Sequence, residues 1–192
     1  TSTGTCAVTT SNQLRCSGIR ARIGLPDQPL LAVPNDTAAR FATTVAIPGG
    51  DGVAEVAMGP SHGCARLTGG RVACWGTGTS GQLGNGGTST STTPVLVDKI
   101  GVNFSFTDLP KATDIAVGAS HTCAVLTDGT VACWGLNTDG QLGNGDAMRA
   151  SSTQPVLVSG ITNAVEVAAG GATTCARLTT GAVQCWGSNA RG

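Results

Sequence analysis

The chain has no tyrosine, three phenylalanines, three tryptophans and two histidines among its 192 residues. Charge is sparse as well: 11% of residues are charged and the formal net charge is zero. That balance excludes the basic face or tail by which nucleic-acid-binding domains are recognised. It excludes a polybasic membrane-surface protein on the same ground. No apolar run approaches the roughly 18 residues of a membrane span. The chain opens at Thr1 without Met and without a basic-then-apolar leader. A mature secreted product or an excised piece of a longer chain is the expectation.

What is present is small and repetitive. Glycine contributes 29 residues, and Ala, Thr, Ser and Val fill much of the remainder. Such a composition suits short strands and tight turns better than long helices. Three segments align: Val53–Gly76 "VAEVAMGPSHGCARLTGGRVACWG", Ala112–Gly135 "ATDIAVGASHTCAVLTDGTVACWG" and Ala164–Gly187 "AVEVAAGGATTCARLTTGAVQCWG". The first two are followed by an identical "GQLGNG" and, after a polar stretch, by "PVLV". Tryptophans stand at 75, 134 and 186, so the period is 59 and then 52 residues. A worn copy, "TCAVTTSNQLRCSG" (Thr5–Gly18), has Ser17 in the tryptophan position.

All eight cysteines fall in four pairs with nine residues between partners: Cys6/Cys16, Cys64/Cys74, Cys123/Cys133 and Cys175/Cys185. If Cys123 faces Cys133, the loop between the strands is Thr127-Asp128-Gly129. Three-residue hairpin loops commonly end in a residue with positive φ that forms a bulge. Glycine meets that demand without steric cost, and asparagine meets it next best. The third loop residues of the four copies are Asn12, Gly70, Gly129 and Gly181. Counting outward from a bonded closing pair at Leu126/Thr130 puts the cysteines on a non-hydrogen-bonded pair, with Cα atoms about 4.5 Å apart. That lies within disulfide range. Four disulfides, one inside each hairpin, are therefore predicted. Each closes a loop of about 11 residues and contributes about 2.5–3 kcal/mol in the chain-entropy description. The alternatives are free thiols or a metal, but structural zinc sites usually use closer pairs such as C-x2-C. Disulfides imply an oxidising compartment.

The hairpins are apolar on both faces. Val125 and Val131 lie with the cysteines, and Ala124, Leu126, Ala132 and Trp134 lie opposite. Both faces need cover, and stacking of consecutive units provides it. With one strand from "EVAMG", "DIAVG" or "EVAAG" and another from "PVLV", each unit holds four short strands, the make-up of a propeller blade. No unit carries a helical apolar period, which excludes an α-solenoid.

Candidate sites read mostly as structure. His62 and His121 occupy equivalent positions two residues before a cysteine, where the third unit has Thr173. Tandem placement favours hydrogen bonding between units over catalysis or metal binding. Trp75, Trp134 and Trp186 read as packing between units. Glu55, Asp114 and Glu166 are equivalent carboxylates at strand starts. "NTDGQLGNGD" (Asn137–Asp146) lacks the alternating acids and distal Glu of an EF-hand. "GTSGQLGNGG" lacks the Gly-Lys-Ser/Thr of a phosphate loop. No catalytic residue and no cofactor is expected. Asn35 ("NDT") and Asn103 ("NFS") fit the glycosylation sequon. The insertion Asn103–Lys111 carries Phe104 and Phe106, an apolar loop offered either to a partner or to a blade edge.

"CWGLNTDGQLGNG", preceded by Ile115–Gly129 and followed by "PVLV", resembles the regulator-of-chromosome-condensation repeat. The resemblance implies a β-propeller of four-stranded blades, usually seven, and the paired cysteines resemble secreted bacterial variants of it. The fold expected is all-β, an open array of about three and a half blades. Residues 1–50 form a degenerate first blade, 51–111 a second with the insertion 103–111, 112–162 a third and 163–192 a truncated fourth. The function expected is non-enzymatic: an extracellular structural or binding module that contacts protein, copies of itself included, as a homo-oligomer, polymer or part of a longer chain. Two other readings stay open. One is part of a secreted inhibitor-type or receptor-type propeller, since the family includes a secreted β-lactamase inhibitor. The other is a guanine-nucleotide exchange factor-like regulator, which the stapled cysteines and missing basic tail disfavour.

Overall fold

The computed structural model describes residues 5–17, 43–48, 50–97, 99–102, 105–108, 110–146, 148 and 150–190. Every regular element in them is a β-strand. The first blade is antiparallel and three-stranded: β1 (Thr5–Val8), β2 (Leu14–Ser17) and β3 (Thr43–Thr44). The second has four strands in chain order, β4 (Val53–Met58), β5 (His62–Leu67), β6 (Val72–Gly76) and β7 (Ser91–Val97). A separate hairpin follows, β8 (Lys99–Val102) with β9 (Ser105–Asp108). The third blade is β10 (Ala112–Val117), β11 (His121–Leu126), β12 (Val131–Leu136) and β13 (Ser151–Leu157). The fourth is β14 (Ala164–Gly170), β15 (Thr173–Leu178) and β16 (Val183–Gly187).

The turn chemistry explains why the four central hairpins share one geometry. φ is +57° at Asn12, +83° at Gly70, +79° at Gly129 and +85° at Gly181. In the third blade Leu126 N donates to Thr130 O and Gly129 N to Leu126 O, both at 2.9 Å. This registry sets Cys6 across from Cys16, Cys64 from Cys74, Cys123 from Cys133 and Cys175 from Cys185. All four pairs are disulfide-bonded, with Cα atoms 4.0–4.1 Å apart. No disulfide links one blade to another.

Proline, which cannot donate to a ladder, is confined to outer strands and bulges of sheets. Pro94 and Pro155 obey that rule. Each lies in the outermost strand of its blade, within the register shift opposite Trp75 or Trp134.

The insertion differs from the expected loop. Its excursion starts at Lys99 rather than Asn103 and forms a two-stranded hairpin that packs beside β13. The physical reason is the alternation in "KIGV" and "SFTD", which gives each segment the period of two that a strand needs. Phe106 sits in β9 opposite Gly101. Phe104, Asn35 and Asn103 lie outside the described residues.

Three core clusters organise the array, and each spans one junction. Cys16 and Leu14 pack with Ala65, Leu67 and Trp75 of the second blade. Cys64, Val72 and Cys74 pack with Ala124, Leu126, Ala132 and Trp134 of the third. Cys123, Val125, Val131 and Cys133 pack with Ala176, Leu178 and Trp186 of the fourth. The cysteine face of each of the first three blades is thus buried by the tryptophan face of the next.

Candidate functional site: the junctions between blades

Within the two junctions that join the second, third and fourth blades a small polar network crosses the apolar contact. His62 Nε2 lies 2.8 Å from Thr122 Oγ1, and His121 Nε2 lies 2.8 Å from Thr174 Oγ1. Thr122 Oγ1 donates to Gln82 O at 3.1 Å, and Thr174 Oγ1 donates to Gln141 O at 3.2 Å. A hydroxyl has one proton. Because each threonine commits it to a carbonyl, the imidazole must supply the other bond, as an Nε2–H donor. Nδ1 is then a bare lone pair, and Nδ1 of His62 and of His121 is buried without a hydrogen-bond partner. Burial holds both histidines at a pKa of about 4, and His62 also feels His121. They are neutral at pH 7.

The hexapeptide "GQLGNG" builds the receiving side. Gln82 Oε1 accepts from Ser80 N, and Gln141 Oε1 from Asp139 N, each at 2.8 Å, which closes the loop on itself. Leu83 and Leu142 are fully buried in the junction cores. The Gln82 carbonyl accepts the Trp134 indole proton at 3.0 Å, and the Gln141 carbonyl accepts that of Trp186 at 2.9 Å. Gly84 (φ +68°) and Gly143 (φ +61°) floor the indoles. A Cβ at either would stand 2.7 Å from the tryptophan Nε1.

Trp75 and Trp134 are fully buried, and Trp186 is half-buried. The tryptophans are packing residues between blades, and the histidines bond across them. The tandem sequence reading had this sense. It missed the threonine partners and the role of the hexapeptide. A signal existed: His62 is followed one unit later by Thr122, and His121 by Thr174, whereas Gly63 holds the threonine position in the second unit.

The carboxylates form a separate row on the first strands, which neighbour one another. The same register shift presents Glu55, Asp114 and Glu166 in three blades. Glu55 accepts from Arg66 Nε at 2.9 Å and Glu166 from Arg177 Nε at 2.8 Å. Asp114 faces Val125 instead of an arginine, and accepts Val167 N of the next blade at 2.7 Å. Burial, with Asp114 nearby, raises the pKa of Glu55 above the usual carboxylate value. Among the described residues no group of three His, Cys, Asp or Glu is placed to hold a metal ion. No helix among them is long and apolar enough to cross a membrane. In the Asn137–Asp146 loop, Asn137 Oδ1 accepts Leu142 N and its Nδ2 donates to Asp146 O, so the loop's polar groups serve its own turns.

The outward face of the fourth blade is the cysteine face again. Here Val183 is 61% exposed beside the exposed Cys185, whereas its counterpart Val131 is 0% exposed.

Comparison with known proteins agrees with this architecture. The regulator of chromosome condensation (RCC1) repeat matches residues 69–125 and 128–177, and a second form of the same repeat matches 53–82, 112–141 and 164–192. The chain is 36% identical over 140 residues to human "Probable E3 ubiquitin-protein ligase HERC6", covering 71% of this chain and 13% of that protein. It is 30% identical over 138 residues to the Arabidopsis thaliana "Ultraviolet-B receptor UVR8", covering 71% and 30%. Yeast RCC1 (Prp20), solved with Kap60, superposes with a TM-score of 0.70 at 23% identity, over 97% of this chain and 40% of that one. The chain therefore spans well under half the length of these proteins. From the stapled hairpins, the indole-cupping hexapeptide and the matched repeats together, the chain belongs to the RCC1 repeat family and its sheets are blades of a β-propeller.

Proposed function

We propose that this is a non-enzymatic extracellular module of disulfide-stapled propeller blades that binds protein, copies of the same chain included. The observation that carries the reading is the way the blades meet: the cysteine faces of the first three are each buried against the tryptophan face of the next blade. The fourth blade carries the same kind of face, with Val183 61% exposed. A face of that make-up is one this array covers with protein, which is the basis for a protein-binding role. The extracellular part rests on the cysteines: all eight are in disulfides, the state an oxidising compartment maintains. A receptor-type role draws on the likeness to UVR8, which is named a receptor.

Sedimentation velocity of the oxidised chain over a hundredfold concentration range, roughly micromolar upward, tests the self-contact. Association that Val183→Glu abolishes supports it. A monomer at every concentration removes self-assembly from the reading. Counting free thiols after secretory and after cytosolic expression tests the compartment: four closed bonds should need the secretory route.

A further inference from the structure

We propose that the two junctions joining the second, third and fourth blades are acid-sensitive hinges, which open when His62 and His121 take a proton at Nδ1 while each stapled hairpin stays folded. The geometry supplies both halves of the device. On one side, the hydroxyl protons of Thr122 and Thr174 are committed to Gln82 O and Gln141 O, so each imidazole already spends its Nε2–H on threonine. A proton arriving from solvent can bind only Nδ1, where it makes a cation and a donor with nothing to receive it. Both rings are at most 1% exposed, and an unpaired charge in a dry interface is strongly disfavoured. On the other side, no disulfide crosses a junction. A junction can part while its flanking hairpins remain covalently closed, as in rigid-body hinge motions.

The other ionisable groups on the packed elements are few. His121 faces His62 from the third blade. Cys64 and Cys123, beside the threonines, are disulfide-bonded and do not titrate. β6, β12 and the two hexapeptide loops contribute no ionisable side chain. On the remaining strands stand Glu55, Arg66, Asp114, Glu166 and Arg177, which belong to the carboxylate row. Thr173 replaces histidine in the fourth blade and donates to Ser188 O, so that position has no switch.

The sign follows from linkage. A free histidine takes its proton near pH 6.5 and the folded ones near 4. The closed junction keeps its full advantage above about pH 6.5 and loses it progressively as pH falls to 4, after which the dependence flattens. Each histidine raises the opening equilibrium about tenfold per pH unit across that window, or roughly 300-fold in all.

The test is hydrogen exchange on the intact oxidised chain between pH 7 and 4, corrected for intrinsic rates. It compares the Trp134 and Trp186 indole protons with the hairpin amides of β5–β6 and β11–β12. Indole opening should climb by two to three decades while hairpin amides hold. In His62→Gln/His121→Gln, where an amide donor replaces the imidazole, the climb should vanish. In Glu55→Gln/Asp114→Asn it should persist. A flat wild-type profile, an unchanged climb in the glutamine variant, or simultaneous loss of the hairpin amides overturns the proposal. If the glutamine variant does not fold, NMR titration of the unaltered histidines decides. Neutral Nε2–H rings down to about pH 5 support it, and rings that titrate near 6.5 or carry Nδ1–H overturn it.

Discussion

Gln82 and Trp134 lie 52 residues apart and in different blades, yet the backbone carbonyl of one accepts the indole proton of the other at 3.0 Å. The same bond recurs between Gln141 and Trp186. The two junctions that join the second, third and fourth blades are therefore each specified by a loop that leaves one blade and a side chain that enters from the next.

Thr122 is the centre of that arrangement, since it both receives His62 and donates to Gln82. Thr122→Val keeps the shape and deletes both bonds, stranding a buried imidazole N–H. We expect a loss of about 2–3 kcal/mol. Trp134→Phe removes one donor while Thr122 still serves the carbonyl, and should cost less, about 1–2 kcal/mol. Urea unfolding of the oxidised proteins ranks the two, and the reverse order would contradict the assignment.

Gly84 and Gly140 have similar backbone angles, φ +68° and +76°, but different surroundings. A Cβ at Gly84 meets the Trp134 ring at 2.7 Å, and at Gly140 it meets nothing within 4 Å. Gly140→Ala should pay the left-handed strain alone, about 1–2 kcal/mol. Gly84→Ala adds displacement of the indole and should reach about 3 kcal/mol or more. Thermal denaturation of the pair separates strain from contact; equal losses would mean the cradle is unimportant.

Disulfide accessibility is uneven. Cys64, Cys74, Cys123 and Cys133 are fully buried, whereas Cys185 is exposed. Brief treatment of the native chain with a thiol reductant should open Cys175–Cys185 first. Alkylation followed by peptide mass spectrometry reads the order, and early labelling at Cys64 or Cys123 would contradict it.

The acid response has an opposing part. Because the folded pKa of Glu55 is raised, its protonation is favoured by folding, so this group adds stability as pH falls and loses that contribution as pH rises past the ordinary carboxylate value. Glu55→Gln removes that compensation. Its stability curve between pH 6 and 4 should fall more steeply than the unaltered chain's. A shallower curve would assign the acid dependence to the carboxylates.

Local features were readable from sequence because they obey local rules. Asn12 standing where three other copies have glycine located every turn, and φ is positive at all four. The alternation around Cys123 and Cys133 assigned both hairpin faces, and the core clusters follow them. Contacts across blades were less legible. Periodicity marks Gln82 as part of a turn, but it does not say which distant donor its carbonyl will meet. The β8–β9 hairpin escaped for another reason: no Asn-Gly or Asp-Gly pair marks its turn, so its two short strands read as loop.

Because every sulfur bridge begins and ends within one hairpin, the array has a particular response to tension. A pull along the backbone can peel off one blade after another, yet the nine residues inside each bridge never join the slack. At roughly 3.5 Å per residue, each released blade comes up about 30 Å short of its full contour. The chain would lengthen in shortened, countable steps, with a knot of structure surviving in every step to reseed the blade once the load is gone.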